Sequence, residues 1–224
     1  MKNILFIIAF MIPCTSSAKL TNETELGMTL TGGATKSISF KMAEKLSLDN
    51  ATLKGFIRKG KSRGVVFIDN WKGELGYQRN FDDTASWFVS QSIESNPILG
   101  LDKRYSSDIG IKWSASDKFI FELGYRLDFE KPVNTQVTNR EMIIRAKAQT
   151  TQAIPPNIVA SAFLEMLPLA NNLSDYRANL GISIINSVNK NIGFKLSFES
   201  QYDKTPLVSS KWDRVFTTSI VVSI

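Results

Sequence analysis

The sequence has no histidine at any of its 224 positions. Imidazole is the most frequent general base in enzymes, and it activates the nucleophile in Ser-His-Asp sites. Its absence excludes mechanisms of that kind. Zinc, copper and haem sites are also disfavoured, because they draw mainly on histidine and cysteine. We therefore expect no enzymatic activity, no cofactor and no metal site.

Cysteine is nearly absent as well, since Cys14 is the single example. It falls in a segment with the features of a secretory signal peptide: Lys2 precedes an apolar run over 4–12, and small residues at 16–18 offer a cleavage site. The run is about half of the roughly 20 residues that a membrane helix needs. We predict a signal peptide at 1–18 and one domain at 19–224, without disulfides.

Long apolar runs are missing after residue 18, so insertion into a membrane would have to use strands. The 27 basic and 21 acidic residues give a net charge of +6, and they are scattered singly. No basic stripe indicates a nucleic-acid partner. A modest positive excess suits anionic lipid headgroups.

Strict alternation of apolar and polar residues is the strongest pattern present. In 118–129, aromatic and aliphatic residues occupy the odd positions, whereas Glu122, Gly124, Arg126 and Asp128 occupy even ones. The segments 175–184 and 191–200 repeat the pattern. A period of two places the two sets on opposite faces of a strand. The length and number of such segments indicate an all-β fold, a transmembrane antiparallel up-and-down β-barrel.

Applied to the whole chain, this pattern predicts about twelve strands. The third is heavily basic, and the ninth is apolar on both faces and is also compatible with a short helix, so ten strands is the alternative. The predicted ranges are 24–31, 36–46, 51–59, 67–80, 84–94, 104–114, 118–129, 139–149, 157–167, 174–185, 191–202 and 212–223.

The predicted connections tend to alternate in length. Barrels of this class have short periplasmic turns, longer outer loops and both termini on the periplasmic side. Four short connections rich in Asp, Asn or Ser, at 48–50, 82–83, 115–117 and 187–190, are predicted to be periplasmic. Two connections break the rule, at 150–156 and 32–35. Longer connections are predicted at 60–66, 95–103, 130–138, 168–173 and 203–211.

Two stretches resemble a known family. The C-terminal hairpin carries Ser174-Asp175-Tyr176-Arg177, then Leu180-Gly181-Ile182-Ser183, and later Tyr202-Asp203-Lys204-Thr205-Pro206 before Trp212-Asp213. The opening hairpin carries Leu30-Thr31-Gly32-Gly33-Ala34-Thr35. Both are similar to the salt-induced outer-membrane protein family, whose barrel domain is of unknown function. The resemblance implies a barrel in the bacterial cell outer membrane and a link to salt or osmotic stress, and it carries over no functional residues.

The polar strand faces would line the barrel lumen. They carry both signs of charge, and two interpretations stay open: a narrow water-filled pore, or a network of ion pairs that plugs the barrel. The predicted lumen residues are Lys41, Lys54, Arg58, Lys72, Glu74, Asp108, Lys112, Glu122, Arg126, Asp128, Glu141, Arg145, Lys147, Glu165, Arg177, Lys195 and Glu199. The first candidates are Glu122, Arg126, Arg145, Lys147, Arg177 and Glu199, whose basic excess indicates a small anionic solute.

Aromatic residues near strand ends, including Trp71, Tyr77, Trp87 and Trp113, are predicted to form girdles at the two membrane interfaces. The leading hypothesis is an integral outer-membrane barrel with a structural or passive narrow-channel role. Its partners would be outer-membrane lipid, lipopolysaccharide and, during biogenesis, the barrel-assembly machinery. The alternative is a soluble periplasmic or secreted barrel whose inverted alternation lines a cavity for an apolar ligand.

Overall fold

The computed structural model describes residues 20–33, 37–62, 65–208 and 210–223. The predicted signal peptide at 1–18 lies outside these residues. Within the described part of the chain, no helix is long and apolar enough to cross a membrane. One short 3-10 helix, η1, covers Pro97–Leu99.

Twelve antiparallel strands account for nearly all of the described residues. Alternating side chains and the Gly, Asp and Asn residues between them favour extended segments joined by turns. The strands are β1 Leu20–Gly33, β2 Ser37–Leu48, β3 Ala51–Ser62, β4 Val65–Asn80, β5 Ala85–Asn96, β6 Leu101–Ser114, β7 Phe119–Pro132, β8 Asn139–Ile154, β9 Ile158–Leu169, β10 Asn172–Ser187, β11 Ile192–Asp203 and β12 Trp212–Ser223.

The strands close into one barrel. Each pairs with its neighbour in the sequence, and β1 pairs with β12 through partners such as Leu26 and Ile220. Closure leaves no edge strand with unpaired backbone groups, which a barrel in lipid requires. The prediction of twelve strands is confirmed, and the count of ten is wrong.

The ninth segment is a strand, so the helical alternative for it is wrong. Residues of β9 pair with both β8 and β10. Two apolar residues, Phe163 and the buried Leu167, lie on its inner face. The ring of Phe163 packs over Gly181 of β10, in the space that a Cβ there would occupy. Apolar residues on both faces therefore reflect local packing inside the barrel.

The strands extend further than the alternation predicts. The predicted connection at 150–156 is wrong. β8 continues to Ile154, which pairs with Ile158 across the short turn 155–157. At the opposite end, Ser62 pairs with Val65, and among the described connections only 133–138 and 204–211 exceed four residues. Backbone hydrogen bonds between strands continue beyond the part of the barrel whose outer side chains face lipid. The alternation of apolar and polar residues therefore predicts strands that are too short.

Tight turns close one end of the barrel, called the turn end, where β1 starts and β12 stops. In the turn at 81–84, Asp82 Oδ1 accepts hydrogen bonds from the backbone N–H of Thr84 and Ala85, both at 2.7 Å. These amides hold the pKa of the Asp82 carboxyl below its ordinary value. Asn189 caps the turn at 188–191 in the same way. The opposite end is called the loop end.

Apolar side chains cover the outer surface. Phe40, Leu123 and Ile109 are 70%, 63% and 59% exposed, whereas Asp128 and Thr29 inside the barrel are fully buried. This direction of alternation is the one that hydrocarbon outside the barrel requires. The inverted arrangement of the soluble alternative, with apolar residues lining a cavity, is therefore wrong.

Aromatic side chains gather near the two ends of the barrel. Tyr77 packs on Trp87 at the turn end, with ring centroids 5.5 Å apart, and Tyr202 packs on Trp212 at the loop end, at 4.8 Å. Tyr105 and Trp113 lie eight positions apart on β6. With strands tilted by about 40°, that separation is about 20 Å along the barrel axis, close to the roughly 25 Å apolar band of such barrels.

Candidate functional site

The inner wall of the barrel is polar and charged. Strand pairing places Lys112, Glu122, Lys147 and Glu165 side by side across β6 to β9, and each lines the same internal cavity. Every second side chain along a strand faces inward, and all of the predicted lumen residues lie at these inward-facing positions. The inner wall is the candidate functional site.

The first network of ion pairs, the Asp128 network, lies towards the loop end. Arg177 Nη2 is 2.5 Å from Asp128 Oδ2, and Arg104 Nε is 3.8 Å from the same oxygen. Arg104 also contacts Glu94 at 2.6 Å and Glu130 at 3.1 Å. These five residues join β5, β6, β7 and β10, so they brace strands that are not neighbours in the sheet.

The second network, the Glu165 network, lies in the middle of the wall. Arg145 is bonded to Glu165 and Glu122, each at 2.7 Å. Arg126 is bonded to Asp108 at 2.7 Å and reaches Glu165 at 3.9 Å. Buried ion pairs of this kind hold side chains in fixed positions, because an unpaired charge there would be costly.

A third group lies on the other side of the barrel. Glu25 of β1 accepts hydrogen bonds from Lys41 at 3.1 Å, from Lys195 at 2.7 Å and from Ser219 at 2.9 Å. It is 5% exposed. The inner wall is thus cross-linked around the circumference by ionic contacts rather than by disulfides.

The six first candidates do not form one cluster. Glu122, Arg126 and Arg145 belong to the Glu165 network, whereas Arg177 belongs to the Asp128 network. Lys147 and Glu199 lie on the cavity wall, and no ion pair is found for either among the described residues. The basic excess of the six is offset by Asp108, Asp128, Glu130 and Glu165.

Sequence reasoning missed several charged members of the wall, among them Glu25, Glu94, Arg104 and Glu130. Glu130 lies beyond the predicted end of the seventh strand at 129, and Glu94 and Arg104 lie at predicted strand ends. Glu25 shares a face with Thr29 inside the first predicted strand, so the alternation alone could have identified it.

A cavity of about 490 Å³ lies inside the barrel. Its wall extends from Asn50 at the turn end to Leu207 at the loop end, and most residues between them are polar or charged. The ion-pair networks therefore follow the wall and leave space along the axis. The interior therefore contains both an ion-paired wall and an unfilled space, and whether that space is an open pore stays a prediction.

Two aromatic rings lie against the wall over glycines. The ring of Phe88 lies 2.8 Å from where a Cβ on Gly110 would be, and Phe163 covers Gly181 in the same way. Arg145 stacks over Phe88 at 5.2 Å, and Lys147 lies 5.3 Å from the centre of Phe163. The glycines make room for the rings, which leaves the space along the axis unfilled.

Residues 204–208 and 210–211, between β11 and β12, cross the loop end and are called the mouth loop. Leu207 Cβ and Val208 Cγ1 lie 3.1 Å and 3.3 Å from where a Cβ on Gly100 would be. Gly100 follows η1 between β5 and β6, on the opposite side of the twelve-stranded ring. Its φ of 75° favours glycine.

The mouth loop is fastened on its own side of the barrel. Thr205 Oγ1 donates to Asp175 at 2.8 Å, and Lys204 Nζ donates to the carbonyl of Ser174 at 2.5 Å. Leu99, Leu101 and Leu207 line the cavity where the loop reaches the far wall. The loop end of the cavity is thus narrowed by apolar side chains, whereas the rest of its wall is mostly polar.

Comparison with known proteins identifies a family. The model of the family described as "Protein of unknown function, DUF481" matches residues 19–224. No curated protein matches the chain.

The barrel is also similar to solved structures of outer-membrane porins and channels. The NanC porin has a TM-score of 0.63 at 11% identity, with 89% of this chain and 98% of that chain covered. The KdgM porin in complex with disordered oligogalacturonate has 0.57 at 12%, covering 90% and 99%. An outer membrane channel from Pseudomonas putida F1 has 0.53 at 7%, covering 94% and 97%. At identities this low, the structural similarity shows the fold alone, which is that of a porin-like barrel.

Proposed function

The chain belongs to the DUF481 family of proteins of unknown function, and we propose that it forms a narrow, passive channel in a bacterial outer membrane. The observation that carries this proposal is the cavity whose wall extends from Asn50 to Leu207. A cavity of about 490 Å³ spread over an apolar band of roughly 25 Å leaves a narrow passage. Such a passage suits water and small ions.

The wall chemistry supports conduction rather than catalysis. Its charges are mostly bonded to each other, and the sequence has no histidine to act as general base. The structural neighbours are porins and channels. We propose that the protein is not an enzyme and that its charged wall controls which solutes pass.

Planar-bilayer recording tests the channel. Purified, refolded barrel should give discrete conductance steps in 1 M KCl on the order of tens of picosiemens, far below those of wide general porins, because the passage is narrow. A barrel denatured before addition is the control. Protein that inserts, as shown by protease protection, and never conducts would rule out a channel.

A purely structural role is the second candidate, and the mouth loop is the observation that favours it. If Leu207 and Val208 seal the loop end, the ion-pair networks serve only to stiffen a closed barrel. The same recording separates the two roles, since removal of the loop tip from a closed barrel would create conductance that the wild type lacks.

We propose that residues 1–18 are removed on export and that 19–224 form the barrel, in contact with lipid and lipopolysaccharide after insertion by the assembly machinery. The apolar outer surface supports this location. The protein should fractionate with outer membranes and resist carbonate extraction, and its N-terminus should begin at residue 19. Recovery in buffer without detergent would contradict membrane insertion.

We further propose that the protein is of the salt-induced type. The proposal is supported by the resemblance of the C-terminal hairpin and by the barrel fold. Protein levels measured before and after a shift to high NaCl should rise, while those of an unrelated outer-membrane barrel stay constant. Constant levels of both proteins would remove the link to salt stress.

A further inference from the structure

Two lysines on the cavity wall lack an acidic partner. Lys112 Nζ donates to the amide oxygen of Gln78 at 2.9 Å, and Lys147 Nζ lies 5.3 Å from the centre of the Phe163 ring. Neither forms an ion pair with any residue that the structure describes. A lysine held inside a barrel without a counter-charge attracts anions.

The carboxylates near these lysines are already engaged. Glu122 and Glu165 face Lys147 across neighbouring strands, and both are bonded to Arg145 at 2.7 Å. Glu122 also faces Lys112 in the register of β6 and β7, without an ion pair between them. The bond to Arg145 holds Glu122 in place, so the negative charge of Glu122 is shared between Arg145 and Lys147, and Glu122 forms no ion pair with either lysine.

The two lysines occupy one row of the wall. Lys112, Glu122 and Lys147 are register partners on β6, β7 and β8. Strands lie about 4.8 Å apart, so the Cα atoms of the two lysines are about 10 Å apart. Side chains of lysine length can converge over that distance on one small ligand.

A third lysine faces this row. Lys54 of β3 lines the same cavity as Lys147 of β8. These strands are five apart in a ring of twelve. Lys54 is bonded to Glu74 at 3.0 Å, but Glu74 is shared with Lys72 at 3.7 Å. Positive charge thus exceeds negative charge at this level.

We propose that Lys112 and Lys147, with Lys54 on the facing wall, form a binding site for a small oxyanion near the turn end of the lumen. Carboxylate, sulfate and phosphate share the chemistry that would be recognised, namely charge-assisted hydrogen bonds from ammonium groups. Anions, rather than cations, are therefore the solutes that this part of the lumen accepts. The passage of the anion rests on the proposed channel, whereas its binding does not.

Calorimetric titration of sodium sulfate into folded, detergent-solubilised barrel at low salt tests the site. The wild type should bind sulfate, and Lys112→Gln and Lys147→Gln should each weaken binding about tenfold, the effect of losing one charged hydrogen bond. Lys41→Gln is the matched control, because it removes an inner-wall lysine outside the cavity and leaves Glu25 bonded to Lys195. Heat-modifiable gel migration checks that each variant is folded.

Equal sulfate binding by the wild type and both variants, an equal loss in Lys41→Gln, or no sulfate binding at all would overturn the site. Sodium acetate titrated in the same way distinguishes carboxylates from sulfate. Reversal potentials in a KCl gradient report on passage. Sulfate binding without conductance would support the site and reject the channel. Cation-selective conductance without sulfate binding would support the channel and reject the site.

Discussion

Asp128 is the most deeply buried carboxylate of the inner wall, with an exposed fraction of 0%. It accepts the Arg177 hydrogen bond, and Arg104 lies near the same oxygen. Its negative charge therefore offsets the unfavourable burial of two positively charged guanidinium groups, those of Arg177 and Arg104. The residue acts on the stability of the wall rather than on a solute.

We predict that Asp128→Asn destabilises the folded barrel by about 3 to 5 kcal/mol, because removing one partner leaves a buried charge uncompensated. Urea unfolding followed by heat-modifiable gel migration measures the change. Glu141→Gln is the control: Glu141 lies 3.6 Å from the same Arg177 and is 31% exposed. Its loss should cost about 1 kcal/mol or less. Equal losses would show that burial does not set the strength of these pairs.

Gly181 permits Phe163 to lie flat on the wall, since a Cβ at this position would overlap the ring. We predict that Gly181→Ala turns the ring into the cavity and reduces single-channel conductance by roughly half, because the passage is narrow. Gly76→Ala is the matched control, as the nearest heavy atom to its Cβ would be 3.9 Å away.

The double variant Gly181→Ala with Phe163→Ala should recover the conductance lost in Gly181→Ala. Unchanged conductance in Gly181→Ala alone would mean that the ring does not border the passage. A loss of conductance that persists in the double variant would point to a change in the backbone of β10.

At the scale of elements, the mouth loop is the feature that lies across the loop end of the cavity. It is fastened to β10 by Thr205 and Lys204 and reaches Gly100 on the opposite wall. Leu207 and Val208 at its tip lie against Gly100 on the far side. The loop therefore narrows the cavity at its outer end.

We predict that replacing Pro206, Leu207 and Val208 with Gly-Ser-Gly raises single-channel conductance roughly twofold by widening the mouth. Val137→Ser in the connection 133–138 is the control, because Val137 is 66% exposed and does not line the cavity. A conductance equal to that of the wild type would show that the mouth loop does not limit passage.

At the scale of the whole molecule, the placement of the two ends follows from the barrel. An even number of strands puts the start of β1 and the end of β12 at the turn end, which in this class of barrel faces the periplasm. Val137 and Val188 lie at opposite ends and are 66% and 59% exposed. Neither lies in the predicted signal peptide, which contains the single cysteine.

We predict that, in intact cells, Val137→Cys reacts with a membrane-impermeant maleimide and Val188→Cys does not. Val188→Cys should become reactive once the outer membrane is permeabilised, and the wild type should stay unlabelled in both conditions. Labelling of Val188→Cys alone in intact cells would invert the orientation, and labelling of neither variant after permeabilisation would contradict their exposure.

Much of the fold can be predicted from the sequence. Alternation in β7 assigns Phe121 and Leu123 to the outside and Glu122 and Arg126 to the inside, and a period of two admits no other arrangement within a strand. The number of such segments sets the number of strands. The sequence also determines that no histidine or disulfide contributes to the mature barrel, provided that residues 1–18 are removed.

Only the tertiary structure decided which inner charges meet. Arg177 and Asp128 lie on strands three apart, and Lys195 and Glu25 on strands two apart, so their contacts depend on the stagger and the diameter of the barrel. Neither quantity can be read from alternation along single strands. For the same reason, the two unpaired lysines and the loop across the mouth emerge only once the sheet closes and brings distant walls within reach.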